Sequence, residues 1–195
     1  NGTVVFDGFM SGDIEDDGRW VAGFAGQDIL SGLLENGVLV RRSDDVVDGA
    51  TLTGGPLPGS RTNIQGDIVS VWRTGTSAFG QLGEAFDFRQ SGEFSRAPAL
   101  RDAVNERLLL RTHDPVDLDG DLVPDPNAVF FRTWYDGWFE TNVEVSNRAV
   151  DGSVTIFAMA YVDTAGTTQY PGQIGDDIVT ILRIDTQAPS GAPVV

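Results

Sequence analysis

The sequence predicts an all-β fold, an antiparallel sandwich or barrel with long loops and at most one short helix, and three features carry that expectation. Glycine is abundant, 24 of 195 residues, and falls with Asp and Asn in turns between short β-branched and aromatic runs. Two Asp-Gly pairs, Asp136-Gly137 and Asp151-Gly152, each separate alternating runs of hairpin length, where such a pair favours a two-residue turn. Helical character is scarce: residues 98–107 are the best helix candidate, short, with Pro98 in a first turn and no glycine to interrupt it. The length suits one domain with a full core: residues 1–185 read as a single β-sandwich domain and 186–195 as a linker-like C-terminal tail.

In chain order, Thr3-Val4-Val5-Phe6 reads as a first strand, and Asp7 to Asp13 as the turn after it, with an acidic tip running on through Asp17. Residues 18–25 read as a strand carrying Trp20, and Val38 to Arg41 as another after the turn at Asn36-Gly37. Asp28 to Leu34 fits either one helical turn or a strand. Asp44 to Gln65, rich in Gly, Pro, Ser, Thr and Asp, reads as one long loop. Strands are expected again over Asp67 to Arg73 and Ala85 to Arg89, with Leu108 to Thr112 leading into an acidic loop. Gly175 to Ile184 is the final strand.

If both Asp-Gly pairs make two-residue turns, residues 128–162 form a three-stranded meander whose register can be counted. Phe130 then pairs with Val143 and Ala128 with Val145; Val145 also pairs with Ala158 and Val143 with Ala160. One face becomes apolar, with Phe130, Trp134, Phe139, Val143, Val145, Val154, Ile156, Ala158, Ala160 and Val162, and is assigned to the core. The other carries Phe131, Tyr135, Trp138, Phe157, Met159 and Tyr161 among Thr133, Glu140, Asn142 and Glu144. That mixture suits either cover by one of the chain's own loops or a sugar-binding surface on which Phe131, Tyr135 and Trp138 stack and Glu140, Asn142 and Glu144 hydrogen-bond.

A net charge of −16 argues against nucleic acid and against anionic membrane surfaces as partners. All thirteen basic residues are arginines and no cysteine is present, so lysine amine chemistry, disulfides and thiolate chemistry are excluded. Apolar runs are too short for insertion into a bilayer. No signal peptide is visible from Asn1 onward, and a mature secreted protein is expected to read this way.

The acidic loop is where spacing dictates chemistry. Asp117, Asp119, Asp121 and Asp125 place four carboxylates so close in sequence that they repel one another unless a hard cation sits between them; Gly120 and Pro124 supply the curvature to wrap it. The alternative is a solvated acidic turn. An EF-hand fits poorly, since with Gly120 at its central glycine the outer ligand positions fall on Pro115 and Pro126. The run Asp117-Leu118-Asp119-Gly120-Asp121-Leu122-Val123-Pro124-Asp125 resembles the calcium-binding thrombospondin type 3 repeat, departing at Leu122, where the repeat carries glycine. The resemblance implies calcium held by Asp117, Asp119, Asp121 and Asp125 and by the Val123 carbonyl, with Asp114 and Asn127 as possible extras. An Asp-rich loop of modest affinity fills in millimolar calcium, so a secreted or cell-surface location is expected.

The ends of the chain carry further resemblances. Asp7-Gly8-Phe9-Met10-Ser11-Gly12-Asp13 followed by Trp20 resembles the opening of secreted bacterial jelly-roll domains related to carbohydrate-binding modules, and Asp176-Asp177-Ile178 the closing strand of MAM-type jelly rolls. These imply a jelly-roll-type β-sandwich with the termini close together and a second calcium site near Asp7, Asp13, Asp176 and Asp177, although Met10 stands where that family often has a liganding glutamate. Asp185-Thr186-Gln187-Ala188-Pro189 resembles connectors between domains of bacterial surface proteins, which implies neighbouring domains or copies as partners.

No catalytic constellation is evident. His113 is the only histidine, and neither a Gly-x-Ser-x-Gly elbow nor the Glu-x-Asp-x-x-Glu run of jelly-roll glucanases occurs. Glu140 and Glu144, four strand residues apart, stand about 13 Å from each other, too far for a glycosidase pair. The expectation is a non-catalytic extracellular calcium-binding protein with a structural or adhesive role, in the extreme a filament subunit. The alternatives are a carbohydrate-binding module and a glycan-active hydrolase with an unrecognised carboxylate pair.

Overall fold

The structure, a computed structural model, describes residues 8–14, 20–26, 31–35, 38–57, 60–76, 82–92, 103–134, 142–164 and 177–188. These residues form an all-β, sandwich-like fold of antiparallel sheets, with no helix among them. A first sheet runs β1 (Gly8–Ile14), β2 (Trp20–Gly26), β3 (Ser31–Glu35) and β4 (Val38–Arg42) in sequence order. The second contains β5 (Val46–Val47), β6 (Ala50–Gly54), β7 (Arg61–Thr62), β8 (Ile68–Thr76), β9 (Leu82–Ser91) and β10 (Ala103–Arg111), with spatial order β10-β9-β8-β6-β5 and β7 also on β8. The third contains β11 (Val129–Thr133), β12 (Val143–Val145), β13 (Thr155–Asp163) and β14 (Asp177–Asp185). There β14 lies along one edge of β13 while β12 and β11 share the other.

The second sheet is buried on both faces, which fits the stretch Ile68-Val69-Ser70-Val71-Trp72 of β8, where successive side chains are all buried. Val69, Val71, Phe86 and Phe88 point toward the third sheet and pack with Phe130, Ile156, Val162 and Leu182. Phe86 and Phe130 meet across that interface at 5.7 Å between centroids, tilted by 60°. Ile68, Trp72, Ala85 and Leu108 point the other way, into a second core closed by Leu33 of β3 and by Val47 and Leu52 of the curled β5–β6 edge. Each of the Val, Leu, Ile and Phe side chains so removed from water contributes about 1.5–3 kcal/mol.

Two buried ion pairs tie the sheets together. From β4, Arg41 reaches β9 with Nε 2.8 Å and Nη2 3.2 Å from the two oxygens of Asp87, and donates a further 3.2 Å bond to Glu106 of β10. Burial pushes the Asp87 carboxyl up, against the pull of Arg41. Asp67, just before β8, accepts Ser91 N–H at 2.9 Å, Asn63 Nδ2 at 3.0 Å and both Nε and Nη2 of Arg148, which anchors the β12–β13 loop to the second sheet.

Several expectations are corrected. Thr3–Phe6 and Asp7 lie outside the described residues, as do residues 15–17 of the acidic tip, and from Gly8 to Asp13 the span read as a turn is strand β1. Asp28–Leu34 resolves in favour of a strand from Ser31 onward. Asp44–Gln65 is not one loop: it holds β5, β6 and β7, with Asp48 and Gly49 at φ 46° and 75° between paired Val47 and Ala50. Positive φ at both central residues is what a type I′ turn requires, so this Asp-Gly pair makes the tight hairpin. The expected helix 98–107 is contradicted from residue 103 onward, where the chain is β10; residues 98–102 lie outside the described residues. A short helix carries its nucleation cost alone, whereas Ala103 to Arg111 takes ladder hydrogen bonds from β9 and buries Leu108 and Leu110.

The meander is corrected in its pairing and kept in most of its faces. β11 pairs with β13, not β12, through Phe130↔Val162 and Thr133↔Ala160. The second hairpin is two residues out of the counted register: Val143 faces Ala158 and Val145 faces Ile156. Asp151-Gly152 does not form a two-residue turn. Gly152 N–H bonds Ala149 O and Ala149 N–H bonds Ser153 O, with Gly152 at φ 88°, a three-residue loop that shifts the ladder by one, and a second irregularity before the Ser146 N–H bond to Thr155 O shifts it by another. A two-residue slip preserves side-chain alternation, so Phe130, Val143, Val154, Ile156, Ala158, Ala160 and Val162 are all buried as expected. Trp134 and Val145 are half-buried, and Phe139 lies outside the described residues.

Candidate functional site: an aspartate-lined hairpin loop

After β10 the chain doubles back on itself. His113 N–H bonds Phe130 O at 2.7 Å, Phe130 N–H bonds Asp114 O at 2.9 Å, and Val116 N–H bonds Ala128 O at 3.0 Å. Val116 and Ala128 are buried in the main core and fix the base of the loop between them. Residues 117–127 are thus an excursion from a rigid stem. Left-handed φ at Gly120 (81°), Leu122 (68°) and Asn127 (68°) bends the excursion tightly.

Asp117, Asp119 and Asp125 converge there, each offering a carboxylate oxygen within 4.8 Å of the others, so the cluster could hold a metal ion. A cation about 2.4 Å from each oxygen requires separations of at most about 5 Å, and the cluster meets that condition. Asp117 has no exposed surface; Asp125 is half-buried and Asp119 exposed.

The carboxylates also organise the loop backbone. Asp117 accepts Gly120 N–H and Leu122 N–H at 2.7 Å each, one on either oxygen. Asp119 accepts Asp121 N–H at 3.2 Å, Asp121 accepts Val123 N–H at 2.8 Å, and Asp125 accepts Leu118 N–H at 2.5 Å. A carboxylate has about four lone-pair sites, so one amide bond per oxygen leaves a second direction open to a cation.

Burial by itself would push the Asp117 carboxyl up, but the N–H groups of Gly120, Leu122 and Asp121 and the Asp119 side chain outweigh it and hold it below the usual aspartate range. Asp119 goes the other way. The Asp121 N–H pulls it down, yet the charges of Asp121, Asp125 and Asp117 together with desolvation hold it above that range. The site is therefore an anionic basin whose carboxylates repel one another at neutral pH.

The other expected residues fall as follows. Asp121 is exposed and outside the three-carboxylate cluster, and Val123 is exposed at the tip. Asp114 is occupied at the stem, accepting Arg111 N–H at 2.7 Å, and Asn127 is exposed at the closing turn. Tyr135, Trp138 and Glu140 of the expected ligand face lie outside the described residues, as do Asp7 and Asp176; Asn142 and Glu144 are exposed.

Phe131, placed by alternation on the ligand face, is buried instead, because a bulge between Phe130 and Arg132 breaks the alternation of β11. The same bulge swings Thr133 inward, where its N–H and Oγ1 bond Glu84 at 2.8 and 2.7 Å, and turns Arg132 outward over the ring of Tyr161, 4.8 Å from its centroid. The buried groups Glu84 and Asp87 had no local signal in the sequence, since their side-chain partners Thr133 and Arg41 are 49 and 46 residues away, and the arginine that pairs with Asp67, Arg148, is 81 residues away.

Compared with protein-family models, curated proteins and solved structures, the chain shows no significant match.

Proposed function

We propose that this chain is a calcium-stabilised β-sandwich that works outside the cell by contact and not by turnover, as a structural or adhesive element of a surface assembly. The observation that carries the reading is the convergence of Asp117, Asp119 and Asp125 at the end of a stem rooted in the main core. Calcium is favoured over other ions because the donors are all carboxylate oxygens on a loop, a hard and adaptable set suited to a large hard cation. Asp121 and the Val123 carbonyl complete the set by resemblance to the thrombospondin type 3 repeat. Bound calcium would neutralise the basin and lock the β10–β11 hairpin, and with it the seam between the second and third sheets.

The test is thermal unfolding in millimolar Ca²⁺ and in EDTA. At a calcium concentration about a hundredfold above Kd the melting temperature should rise by about 5–10 °C, and Asp119→Ala should abolish that rise. Identical melting curves with and without the ion would sink the assignment.

A second reading, a carbohydrate-binding module, is favoured by the ring of Phe157, 44% exposed on the outer face of β13. Retention on polysaccharide columns, lost in Phe157→Ala, is its test.

A further inference from the structure

Strand β14 pairs with β13 through nine consecutive residues, from Asp177↔Asp163 to Asp185↔Thr155, without a bulge. It contains neither proline nor lysine, two of the residues with which proteins blunt a sheet edge. Backbone groups alternate in direction along a strand, so one printed bond fixes them all. Thr186 N–H bonds Val154 O at 3.0 Å, and Ile184, Leu182, Thr180 and Ile178 therefore turn their backbone groups toward β13 as well. Met159 agrees from the other side: it lies opposite Ile181, yet its N–H bonds Asn142 O and its carbonyl accepts Trp134 N–H, both away from β14.

Asp177, Val179, Ile181, Arg183 and Asp185 thus direct their N–H and C=O groups outward, and no described strand pairs with that edge. Only Asp185 O has a local partner, Ala188 N–H at 3.1 Å. The edge of β10 is different, because Asp48 of the β5–β6 hairpin takes Leu108 N–H at 2.7 Å. The side chains along β14 are apolar where they meet water: Ile178, Val179 and Ile181 are 40, 46 and 63% exposed.

The edge is complementary to itself. A second β14 running antiparallel must set outward groups against outward groups, which leaves few registers. Centred on Thr180, the pairing places Asp177 opposite Arg183 and Val179 opposite Ile181, each twice by symmetry, with Ile178 opposite Leu182 on the inner side. Centred on Ile181, it places Asp177 opposite Asp185, a like-charge pair, and requires the Asp185 carbonyl that Ala188 already holds. Centred on Val179 or Leu182, it leaves Arg183 without a carboxylate opposite.

We infer that β14 pairs antiparallel with β14 of a second copy, centred on Thr180, and joins two four-stranded third sheets into one continuous sheet. The contact is isologous, so it closes at a dimer. It goes beyond the calcium reading and is independent of it, since it uses no residue of the acidic loop.

Sedimentation velocity on the full chain over a range of concentrations tests it, at physiological ionic strength, where repulsion between two copies of charge −16 is largely screened. Wild type should form dimers and nothing larger, in Ca²⁺ and in EDTA alike. Asp177→Arg and Arg183→Asp each turn two attractive pairs into two repulsive ones and should weaken the dimer at least about tenfold. An equimolar mixture of these two variants, and the protein carrying both changes, should dimerise like wild type, because every cross-strand pair is again of opposite sign. Hydrogen exchange followed by NMR should find the amides of Val179, Ile181 and Arg183 protected in the dimer and fast in Arg183→Asp.

A wild type that is monomeric throughout overturns the proposal, whether its edge amides exchange fast or are protected by Thr3 to Phe6 of the same chain. Assembly beyond the dimer overturns it too, as does Arg183→Asp dimerising like wild type, or failure of the doubly changed protein to recover. A calcium-dependent melting shift in a monomer removes only the pairing; dimers that melt identically with and without calcium remove only the calcium reading.

Discussion

Asp117 and Asp119 sit two residues apart in one loop and are pushed in opposite directions. The lowered Asp117 contributes stability that is present above the ordinary aspartate value of 3.8 and is lost as pH falls through its own lower one. The raised Asp119 has the opposite sign: without metal, its contribution is complete below the ordinary value and is lost as pH rises through its higher one. Calcium requires both to be ionised. The calcium-induced melting shift should therefore be full at neutral pH and shrink on acidification at a pH above the ordinary aspartate value, as Asp119 takes up its proton. In EDTA, Asp119→Asn should melt at or above wild type near pH 7, because it removes a repelling charge, and should show no response to calcium. Melting curves across pH with and without the ion check both, and a calcium shift that persists unchanged down to pH 4 would contradict this account.

At the scale of elements, what holds one sheet on the next is in part ionic. Arg41 is the cation from β4 for two carboxylates, Asp87 on β9 and Glu106 on β10, and both it and Asp87 are buried. Its guanidinium is held above its usual range, since burial lowers it but the two carboxylates outweigh that. Arg41→Met should cost about 3–5 kcal/mol by stranding Asp87, and adding Asp87→Leu should recover much of the loss, because replacing a whole buried pair by apolar groups is often close to neutral. Urea unfolding of the two variants separates these outcomes; a double variant no more stable than Arg41→Met would show that the pair is worth more than its desolvation. Hairpins at this scale teach a related lesson. Of the Asp-Gly pairs, Asp48-Gly49 makes the tight turn inside a stretch that reads as loop, while Asp151-Gly152 takes a longer one, because its flanks are held by Arg148 on Asp67 and by Thr186, whose Oγ1 accepts Val154 N–H at 3.0 Å.

For the whole molecule, a charge of −16 without a single lysine means that folding gathers repelling carboxylates onto one surface. Added monovalent salt should raise the melting temperature in EDTA, steeply through the range where the Debye length drops below about 10 Å, and less in calcium, which already neutralises the worst cluster. Melting curves in NaCl and KCl check this, and stability indifferent to ionic strength would mean that the charges are spread too far apart to matter.

Strand alternation and the aspartate-dense loop were legible in the sequence because both are local: side chains alternate along any strand, and the four carboxylates of the loop lie between residues 117 and 125. Even a two-residue error in register left the buried face of β13 correct, since only odd slips exchange faces. Tertiary structure alone decided which strands are neighbours, that the second sheet is covered on both sides, that a bulge hides Phe131 and turns Arg132 outward, and that Asp67 and Asp87 have arginine partners 81 and 46 residues away. Those outcomes depend on distances through space that no spacing along the chain encodes, and they are settled only when competing pairings bury their apolar faces and satisfy their charges together.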